Sequence, residues 1–539
     1  MLLGQKISKA EKLRKNGKFD EANEIYKAIL SKYPKNTRAQ LGKSFCTKKA
    51  PQEEVEFIIS LFDKKLYEEA KKEIEVLIRK FNCDENLYNI YGAVLSRLQN
   101  YEKAKQQYQK ALELNSSFPE ALSNLAELMN KTKEFNEARE LCLKAIKLNK
   151  SYAEAYNNLG NSLLNLGLYK DAETSYKKSL TLNNPNKYSV FNNLGLVNSF
   201  LHNFKVSNKY LIQASELLPQ EIEAVSKLAQ NLIYQDKFEC NNISKYLITN
   251  IEDYSSEGRI LIFTYLSILS FIEGKIEQSL RNNKFLKEFF YEFLESGRFV
   301  EPKDKIFVRA YNDFLYNLNK MAIQENLTDN LSNKNIIYHL GESHCLSFAH
   351  RNILINNKKF RIKPLITIGI KAWHLTGLKN YKQKSFFISQ LEKVPNNSKI
   401  FISIGEIDTR VNEGILTFHK KSNKDLNTII RDTVYGYVSF IENFLKCKKV
   451  ERFYFSIHAP FQNKVKKDYD TELSLKRIKV INIFNNYLEE FTKEFNANFV
   501  DTYGFTTGNN GASNEKYMID PTHLSPKALP LIEKIINKL

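Results

Sequence analysis

The sequence lacks the features that mark disulfide-linked, zinc-binding or membrane-spanning proteins. Its six cysteines are far apart in 539 residues and form no C-x-x-C pair, which argues against a disulfide framework or a zinc site. The most apolar run, ILIFTYLSILSFI at 260–272, is too short to span a membrane, and the start, MLLGQKISK, is too short for a signal-peptide core. There is no glycine-rich phosphate loop and no histidine cluster with metal-ligand spacing. We therefore expect a cytoplasmic protein with no membrane span, metal or cofactor.

Positive charge predominates, but it is not concentrated in one place. The formal net charge is +19, with 42% hydrophobic and 26% charged residues, a composition typical of a folded protein. The lysines lie in stretches such as KNGKFDEANEIYK, which mix both signs as solvated helices do. A nucleic-acid site would need a compact basic block with interleaved aromatic residues, and none occurs. We expect no specific nucleic-acid partner.

The first half of the chain repeats with a period of 34 residues. Alanines recur at that spacing, an aromatic residue stands three positions before each of them, and small residues recur upstream at Gly92, Ala126 and Gly160. The alanines are Ala70, Ala104, Ala138 and Ala172. This period is explained by stacked pairs of antiparallel helices, with small residues where two backbones approach closely. The pattern resembles the tetratricopeptide repeat (TPR) family, and the resemblance implies an all-helical solenoid with a groove for a protein or peptide.

Three asparagines occupy matching places in successive repeats. They are Asn124, Asn158 and Asn193, within LSNLAE, YNNLGN and FNNLGL. An amide both donates and accepts hydrogen bonds, so such a ladder can hold an extended peptide backbone. The arrangement resembles the asparagine ladder of O-GlcNAc transferases, which implies a peptide groove. The alternative is that these matches reflect a chain rich in asparagine throughout.

The second half has a different periodicity. Short apolar runs alternate with longer segments of helical spacing, which predicts a mostly parallel sheet covered by helices on both faces. The predicted strands are 335–340, 364–370, 399–405, 452–457 and 497–504. In such sheets the ligand lies beyond the carboxyl ends of the strands. The residues that follow each strand are therefore the candidates for a functional site.

Three motifs follow predicted strands in a suggestive order. The first strand ends in GESH at 341–344, the third in GEIDTR at 405–410, and DPTHLS at 520–525 precedes the last helix. This order resembles the SGNH/GDSL hydrolases, whose serine, G-x-N-D and D-x-x-H blocks occupy these places. The resemblance covers about residues 334–539. It implies a three-layer α/β/α fold of the flavodoxin-like type and a serine hydrolase acting on esters.

The resemblance also implies roles for individual residues. Ser343 corresponds to the nucleophile, His523 to the base that activates it, and Asp520 to the carboxylate that orients the imidazole. Oxyanion stabilisation or substrate binding is implied for the strand-end residues, with the backbone N–H groups of Ser343 and Gly369 as oxyanion donors. The strand-end residues are Gly369, Gly405, Glu406 and Arg410. The substrate class would be a small ester or an acylated glycan.

One position departs from the family pattern. Ile407 stands where the family has an asparagine whose amide completes the oxyanion hole, and Arg410 is the nearest replacement donor. Losing one such donor typically lowers the rate by about 10²–10³. Ordinary structural alternatives also remain open: a helix cap at Ser343, a simple turn at Asp520 and His523, and a structural ion pair between Glu406 and Arg410.

The sequence therefore predicts a multidomain protein. The expected parts are a TPR solenoid at 1–221, degenerate helical repeats at 222–320, a linker at 321–334 and the hydrolase-like domain at 335–539. The leading hypothesis is an esterase, carbohydrate deacetylase or acyltransferase, recruited to its target by the repeats. The alternative is a scaffold protein whose hydrolase-like domain is inactive.

Overall fold

The computed structural model describes residues 3–15, 18–45, 49–235, 237–295, 302–327, 335–377, 381–460, 471–508 and 513–539. The chain forms two compact units, Met1–Asn193 and Leu194–Leu539. Each is a unit in its own right, and the second contains both helices and the sheet. The predicted domain boundaries, which divide the chain differently, stay a prediction.

The first unit consists of antiparallel helix pairs. Its helices are α1 (Leu3–Lys15), α2 (Phe19–Lys32), α3 (Thr37–Phe45), α4 (Gln52–Asp63), α5 (Tyr67–Lys80), α6 (Glu85–Arg97), α7 (Tyr101–Leu114), α8 (Pro119–Lys131), α9 (Phe135–Leu148), α10 (Ala153–Asn165), α11 (Tyr169–Thr181) and the first half of α12 (Lys187–Phe200).

The residues of the 34-residue pattern lie where the helices touch. The four recurring alanines are fully buried. The glycines face aromatic rings of the following helix: a Cβ at Gly92 of α6 would lie 2.6 Å from the ring of Tyr108 of α7, and Gly160 faces Tyr176 in the same way. The small residues are therefore needed for close packing within a helix pair, as the period predicts.

The second unit begins with a run of helices, described at residues 194–235, 237–295 and 302–324, which we call the helical segment. It contains the second half of α12, then α13 (Phe204–Leu217), α14 (Ile222–Asn231), α15 (Lys237–Thr249), α16 (Ser256–Ile272), α17 (Ile276–Glu295) and α18 (Pro302–Gln324). Helix α18 extends past residue 321, where the sequence predicts that the linker begins. Residues 328–334 of that predicted linker lie outside the described residues.

A six-stranded sheet follows the helical segment. Its elements are β1 (Ile336–Gly341), β2 (Asn352–Ile355), β3 (Lys358–Ile366), α19 (Lys382–Glu392), β4 (Ser398–Ser403), α20 (Gly414–Lys421), α21 (Leu426–Leu445), β5 (Val450–Phe455), α22 (Thr471–Glu494), β6 (Asn498–Val500), α23 (Thr502–Thr506) and α24 (Leu529–Ile536). The strand order is β2-β3-β1-β4-β5-β6. All neighbouring strands are parallel except β2 and β3. The prediction of a mostly parallel sheet is confirmed.

The antiparallel pair is a feature that the sequence analysis missed. Strand β3 begins at Lys358 and ends at Ile366, earlier than the predicted 364–370, and it is joined to β2 by a tight turn. Asn356 and Asn357 at that turn both have positive φ, 51° and 62°. This is the backbone of a two-residue hairpin of type I′, which asparagine tolerates. The Asn-Asn pair after the apolar residues of β2 was the sequence signal for this hairpin.

Helices cover both faces of the sheet, because its side chains alternate. On one face Leu340, Ile400 and Ile402 pack against residues of α19, α21 and α22. On the other face Ile337 and Phe401 pack with α24. In the described residues, no helix has both the length and the apolar character needed to cross a membrane. The predicted cytoplasmic location stays a prediction.

The close packing of α6 on α7 leads to a stability prediction. Gly92→Ala should lower the free energy of unfolding by about 1–3 kcal/mol, because the added methyl group overlaps the buried ring of Tyr108. Gly4→Ala in α1 is the matched control, since a Cβ there meets nothing within 4 Å. There alanine should be neutral or stabilising by up to about 1 kcal/mol. Urea denaturation followed by circular dichroism measures both. Equal stability of the two variants would contradict this packing.

Candidate active site

The candidate site lies at the carboxyl edge of the sheet. The strands β1, β3, β4, β5 and β6 run parallel, so the loops that follow them converge at one edge. Gly341 at the end of β1 contacts the backbone of Ser403 so closely that a Cβ would overlap it. This close approach holds the ends of β1 and β4 together, so the loops that follow them start side by side.

Ser343, His523 and Asp520 form a continuous chain of hydrogen bonds. The distance from Ser343 Oγ to His523 Nε2 is 2.7 Å, and His523 Nδ1 lies 2.7 Å from Asp520 Oδ2. Ser343 begins a short 3-10 helix, Ser343–Leu346, and its hydroxyl contacts the imidazole. All three sequence-predicted catalytic residues are thus brought into contact, although 180 residues separate the serine from the histidine.

The D-x-x-H spacing explains how the aspartate is held. Asp520 Oδ1 accepts hydrogen bonds from the backbone N–H groups of Thr522, at 2.7 Å, and His523, at 2.8 Å. One carboxylate oxygen therefore closes the turn, while the other is directed at the imidazole. Burial alone would raise the pKa of Asp520, but the hydrogen bond and charge of His523 and the two backbone donors lower it.

The electrostatic surroundings keep His523 neutral at neutral pH. Burial lowers the pKa of this imidazole, and the hydrogen bond and charge of Asp520 offset part of that effect. The positive charge of His344 adds to the lowering, and the negative charge of Glu406 opposes it. The net pKa lies below 6.5, so Nε2 can accept a proton at neutral pH.

Two further histidines hold the loop that carries His523. His344 Nε2 lies 2.8 Å from the carbonyl oxygen of Thr522, and His458 Nε2 lies 2.7 Å from the same oxygen. Burial alone would lower the pKa of His344, but the carboxylate of Glu342, 3.5 Å from its Nδ1, outweighs burial and raises the pKa. Burial, with the charge of His344, lowers the pKa of His458 to about 4. The two rings therefore differ in basicity.

Glu406 and Arg410 form an ion pair, the structural alternative that the sequence left open. Arg410 Nη2 lies 2.7 Å from Glu406 Oε2, and Arg477 of α22 donates to Glu406 Oε1 at 2.6 Å. Glu406 is buried, and the two guanidinium groups hold the pKa of its carboxyl far below the usual range despite the burial. Arg410 is thus engaged by Glu406 and, at 3.6 Å, by Glu413.

A small cavity with a mainly apolar lining lies between these groups. It has a volume of about 30 Å³, room for about one water molecule, and is lined by Glu342, His344, Glu406 and His458 among others. The ligand atoms of Glu342, His344 and Glu406 lie within 4.8 Å of one another, a donor set that a metal ion can use. The two guanidinium groups on Glu406 oppose a cation there, because like charges repel.

The remaining predicted residues at the strand ends have backbone roles. Gly369, in the loop after β3 and not in the strand itself, has a φ of +68°. Gly405 has a φ of +122°, and a Cβ there would lie 2.7 Å from the ring of Phe484. Ile407 is buried. Its neighbour Asp408 accepts from the backbone N–H of Ala372 at 2.7 Å, which ties the loop after β4 to the loop after β3.

The asparagines of the repeats bond to neighbouring repeats. Asn124 donates to the side-chain oxygen of Asn89 at 3.0 Å. Asn158 is buried, and its amide nitrogen donates to the carbonyl and hydroxyl oxygens of Ser123 at 3.1 and 3.0 Å. Asn193 donates to Asn161 at 3.0 Å. These amides therefore link successive repeats, and both hydrogens of Asn158 are directed at Ser123.

Two residues at the site were missed by the sequence analysis. Phe314 of α18 stacks on the His523 ring with a centroid distance of 3.8 Å and an interplanar angle of 13°. Arg477 lies in the long helix α22 and contacts Glu406. Neither residue belongs to a local motif, and only the tertiary fold brings them to the site.

The ion pairs of Glu406 allow a stability prediction. Glu406→Gln should lower the free energy of unfolding by about 3 kcal/mol, because two guanidinium groups lose their buried partner. Glu413→Gln is the control: Glu413 is 44% exposed, so its pairs with Lys371 and Arg410 should contribute about 0–1 kcal/mol. Both are measured by urea denaturation. Equal losses of unfolding free energy in the two variants would contradict the role of Glu406 as the buried partner of Arg410 and Arg477.

Family comparisons identify repeats in the first unit. Residues 92–133 match a family described as TPR repeat, and residues 120–151 and 153–184 match families described as tetratricopeptide repeat. None of these matches lies in the part of the chain that contains the sheet. A search of curated protein sequences found no match to this chain.

Solved structures with helical repeats are also similar. PilF of Pseudomonas aeruginosa is 21% identical, with a TM-score of 0.32 and coverage of 40% of this chain and 97% of that chain. PilW, described as a type IV pilus biogenesis factor, is 16% identical, with a TM-score of 0.34 and coverage of 39% and 98%. The first TPR of RPAP3 bound to an HSP90 peptide is 25% identical, with a TM-score of 0.21 and coverage of 22% and 93%. TM-scores this low carry no argument about function.

The family matches and the 34-residue packing pattern agree. Residues 92–184 consist of tetratricopeptide repeats, a module of protein–protein interaction.

Proposed function

We propose that the second unit is a serine hydrolase that cleaves an ester-linked acyl group. The observation that carries this proposal is the unbroken hydrogen-bond chain from Ser343 through His523 to Asp520, with both distances at 2.7 Å. This is the arrangement that nucleophilic catalysis by serine requires, and it occurs at the strand edge where such sheets bind ligands. The order of the three motifs, which resembles that of the SGNH hydrolases, supports the same assignment.

In the proposed reaction Ser343 Oγ attacks the acyl carbon while His523 Nε2 takes its proton. Asp520 holds the imidazole through Nδ1 and stabilises the positive charge that forms. The imidazolium then returns the proton to the leaving alcohol, which gives an acyl-enzyme on Ser343. Water, activated by the same imidazole, releases the acid and restores the serine. An alcohol in place of water would make the same site a transferase.

The proposed oxyanion donors are backbone groups. The N–H of Ser343 is the first and the N–H of Gly369, in a glycine-dependent loop, is the second. Ile407 contributes no donor, and the guanidinium of Arg410 is engaged by Glu406 and Glu413. We therefore expect an enzyme with two oxyanion donors and a modest rate, about 10²–10³ below that of relatives that keep a third donor.

The substrate class follows from the resemblance alone: a small ester or an acylated glycan. The tetratricopeptide repeats would bring a protein or peptide partner to the enzyme, and a cytoplasmic setting fits this role. A second candidate is a scaffold that binds partners without catalysis. The observations that favour the scaffold are Ile407 in place of an amide donor and the low exposure of Ser343, which is 9%.

Fluorophosphonate labelling tests the nucleophile directly. Such probes react with a serine activated by a neighbouring base, so the wild-type protein should be labelled and Ser343→Ala should not. Ser347→Ala is the matched control, because Ser347 is a buried serine only four residues further along the chain. It should label like the wild type. An unlabelled wild-type protein that is folded by circular dichroism would favour the scaffold alternative.

The pKa of His523 determines the pH dependence of labelling. Because this pKa lies below its usual 6.5, the labelling rate should be level near pH 8, and its acid midpoint should lie below about pH 6.5. The rate should fall as the pH drops through the pKa of the imidazole, since the protonated ring accepts no proton. The measurement is the labelling rate from about pH 5 to pH 8. A midpoint above 6.5 would contradict a buried, neutral imidazole as the base.

A further inference from the structure

The helical segment reaches the catalytic edge of the sheet through α18. Phe314 is fully buried, and its ring lies nearly parallel to the imidazole of His523. Ser343 and Asp520 occupy the two ring nitrogens at the edge of the imidazole, so Phe314 covers a face that neither of them uses. Within the second unit, a residue far upstream of the sheet therefore fixes the plane of the proposed base.

A second contact links the helical segment to the site. The hydroxyl of Tyr234, just after α14, accepts a hydrogen bond from the backbone N–H of Ile368 at 3.1 Å. The Tyr234 ring stacks on Phe386 of α19, with centroids 4.3 Å apart. Ile368 precedes Gly369, the proposed second oxyanion donor. The helical segment thus touches both the base and the loop that would bind the oxyanion.

The charged and titratable groups that act on His523 come from three loops. Asp520 contacts it from its own loop, His344 lies after β1 with ring centroids 4.8 Å away, and Glu406 lies after β4. From α18 the uncharged ring of Phe314 contacts the imidazole, and the buried Tyr311, one turn earlier, acts on Glu342. An aromatic face close to a cation attracts it through the ring quadrupole. The ring of Phe314 therefore favours the imidazolium that forms when His523 takes the serine proton.

We propose that α18 and Tyr234, both in the helical segment, are built parts of the catalytic centre, with Phe314 of α18 as a positioning residue that orients His523 and stabilises its protonated form. This inference rests on the proposed hydrolase function. A separate catalytic domain beginning at residue 335 would lack this ring. Under this proposal, the helices before the sheet do more than connect the repeats to the enzyme.

The test uses the full chain and replaces the ring with a side chain that cannot stack. Phe314→Leu should label with fluorophosphonate about two- to thirty-fold more slowly than the wild type at the pH plateau. Its acid midpoint should move to lower pH, because the imidazolium loses a stabilising face while Asp520, His344 and Glu406 are unchanged. Phe314→Met, which fills more of the space, serves if the leucine variant does not fold. Phe314→Tyr keeps the stacked face and should restore both rate and midpoint.

Phe271→Leu is the matched control. Phe271 lies in α16 of the same helical segment, is equally buried, and its ring contacts His350, outside the catalytic residues. It should lose stability without a change in labelling midpoint. The inference would be overturned if Phe314→Leu labelled with the rate and acid midpoint of the wild type. It would also be overturned if Phe271→Leu labelled as slowly as Phe314→Leu.

A titration of His523 by NMR separates this inference from the proposed function. If the wild type does not label, the hydrolase proposal fails, and the titration still decides on the stacking. A lower pKa of His523 in Phe314→Leu than in the wild type supports the stabilising ring. An unchanged pKa overturns it.

Discussion

The position of the proposed base depends on one carbonyl oxygen, that of Thr522. His344 and His458 hold it from two different loops, at 2.8 and 2.7 Å. Because His344 follows Ser343 in the chain, its hydrogen bond ties the turn that carries His523 to the loop that carries the serine. The turn itself is closed by Asp520, so fixing the carbonyl oxygen fixes the imidazole as well. The relative positions of Ser343, His523 and Asp520 therefore depend on the hydrogen bonds that His344 and His458 make to Thr522.

Burial at this edge of the sheet is tolerated because the charges are balanced. Glu342 is paired with His344, and Glu406 is paired with Arg410 and Arg477. A buried carboxylate without such partners would cost several kcal/mol, roughly the whole stability of a small domain. These pairs also explain why His344 and His458 differ in pKa although they contact the same oxygen. Glu342 lies 3.5 Å from Nδ1 of His344, whereas Nδ1 of His458 faces the backbone carbonyl of Ala459.

The sequence predicted the elements that depend on local patterns. The 34-residue period follows from packing that each repeat needs, and the triad candidates follow from motifs at strand ends, so both were accessible without a structure. The hairpin of β2 and β3 was missed because β3 begins with charged residues, although Asn356 and Asn357 pointed to a turn. Arg477 and Phe314 could not be predicted, because their contacts join helices to loops far away in sequence.

The asparagine ladder has contacts that its spacing did not predict, and the peptide groove stays a prediction. A regular spacing of amides suggested a surface for a peptide, yet the amides bond to the neighbouring repeats. The same chemistry recurs in the helical segment, where Asn231 donates to Ser207 and Asn208, and Asn319 donates to Ser279 and Asn283. Buried amides need partners. Spacing alone cannot tell whether those partners come from this chain or from another molecule.

The stacking of Phe314 on His523 has a consequence for biosynthesis. Chains emerge from the ribosome N-terminus first, so α18 is made before any strand of the sheet. After Phe314, roughly 200 more residues must be synthesised before its stacking partner His523 exists. During that interval an apolar side chain that ends up buried is available to other surfaces, which is the condition under which nascent chains aggregate or recruit chaperones. The side chain that orders the finished site therefore adds to the risk of aggregation until synthesis is complete.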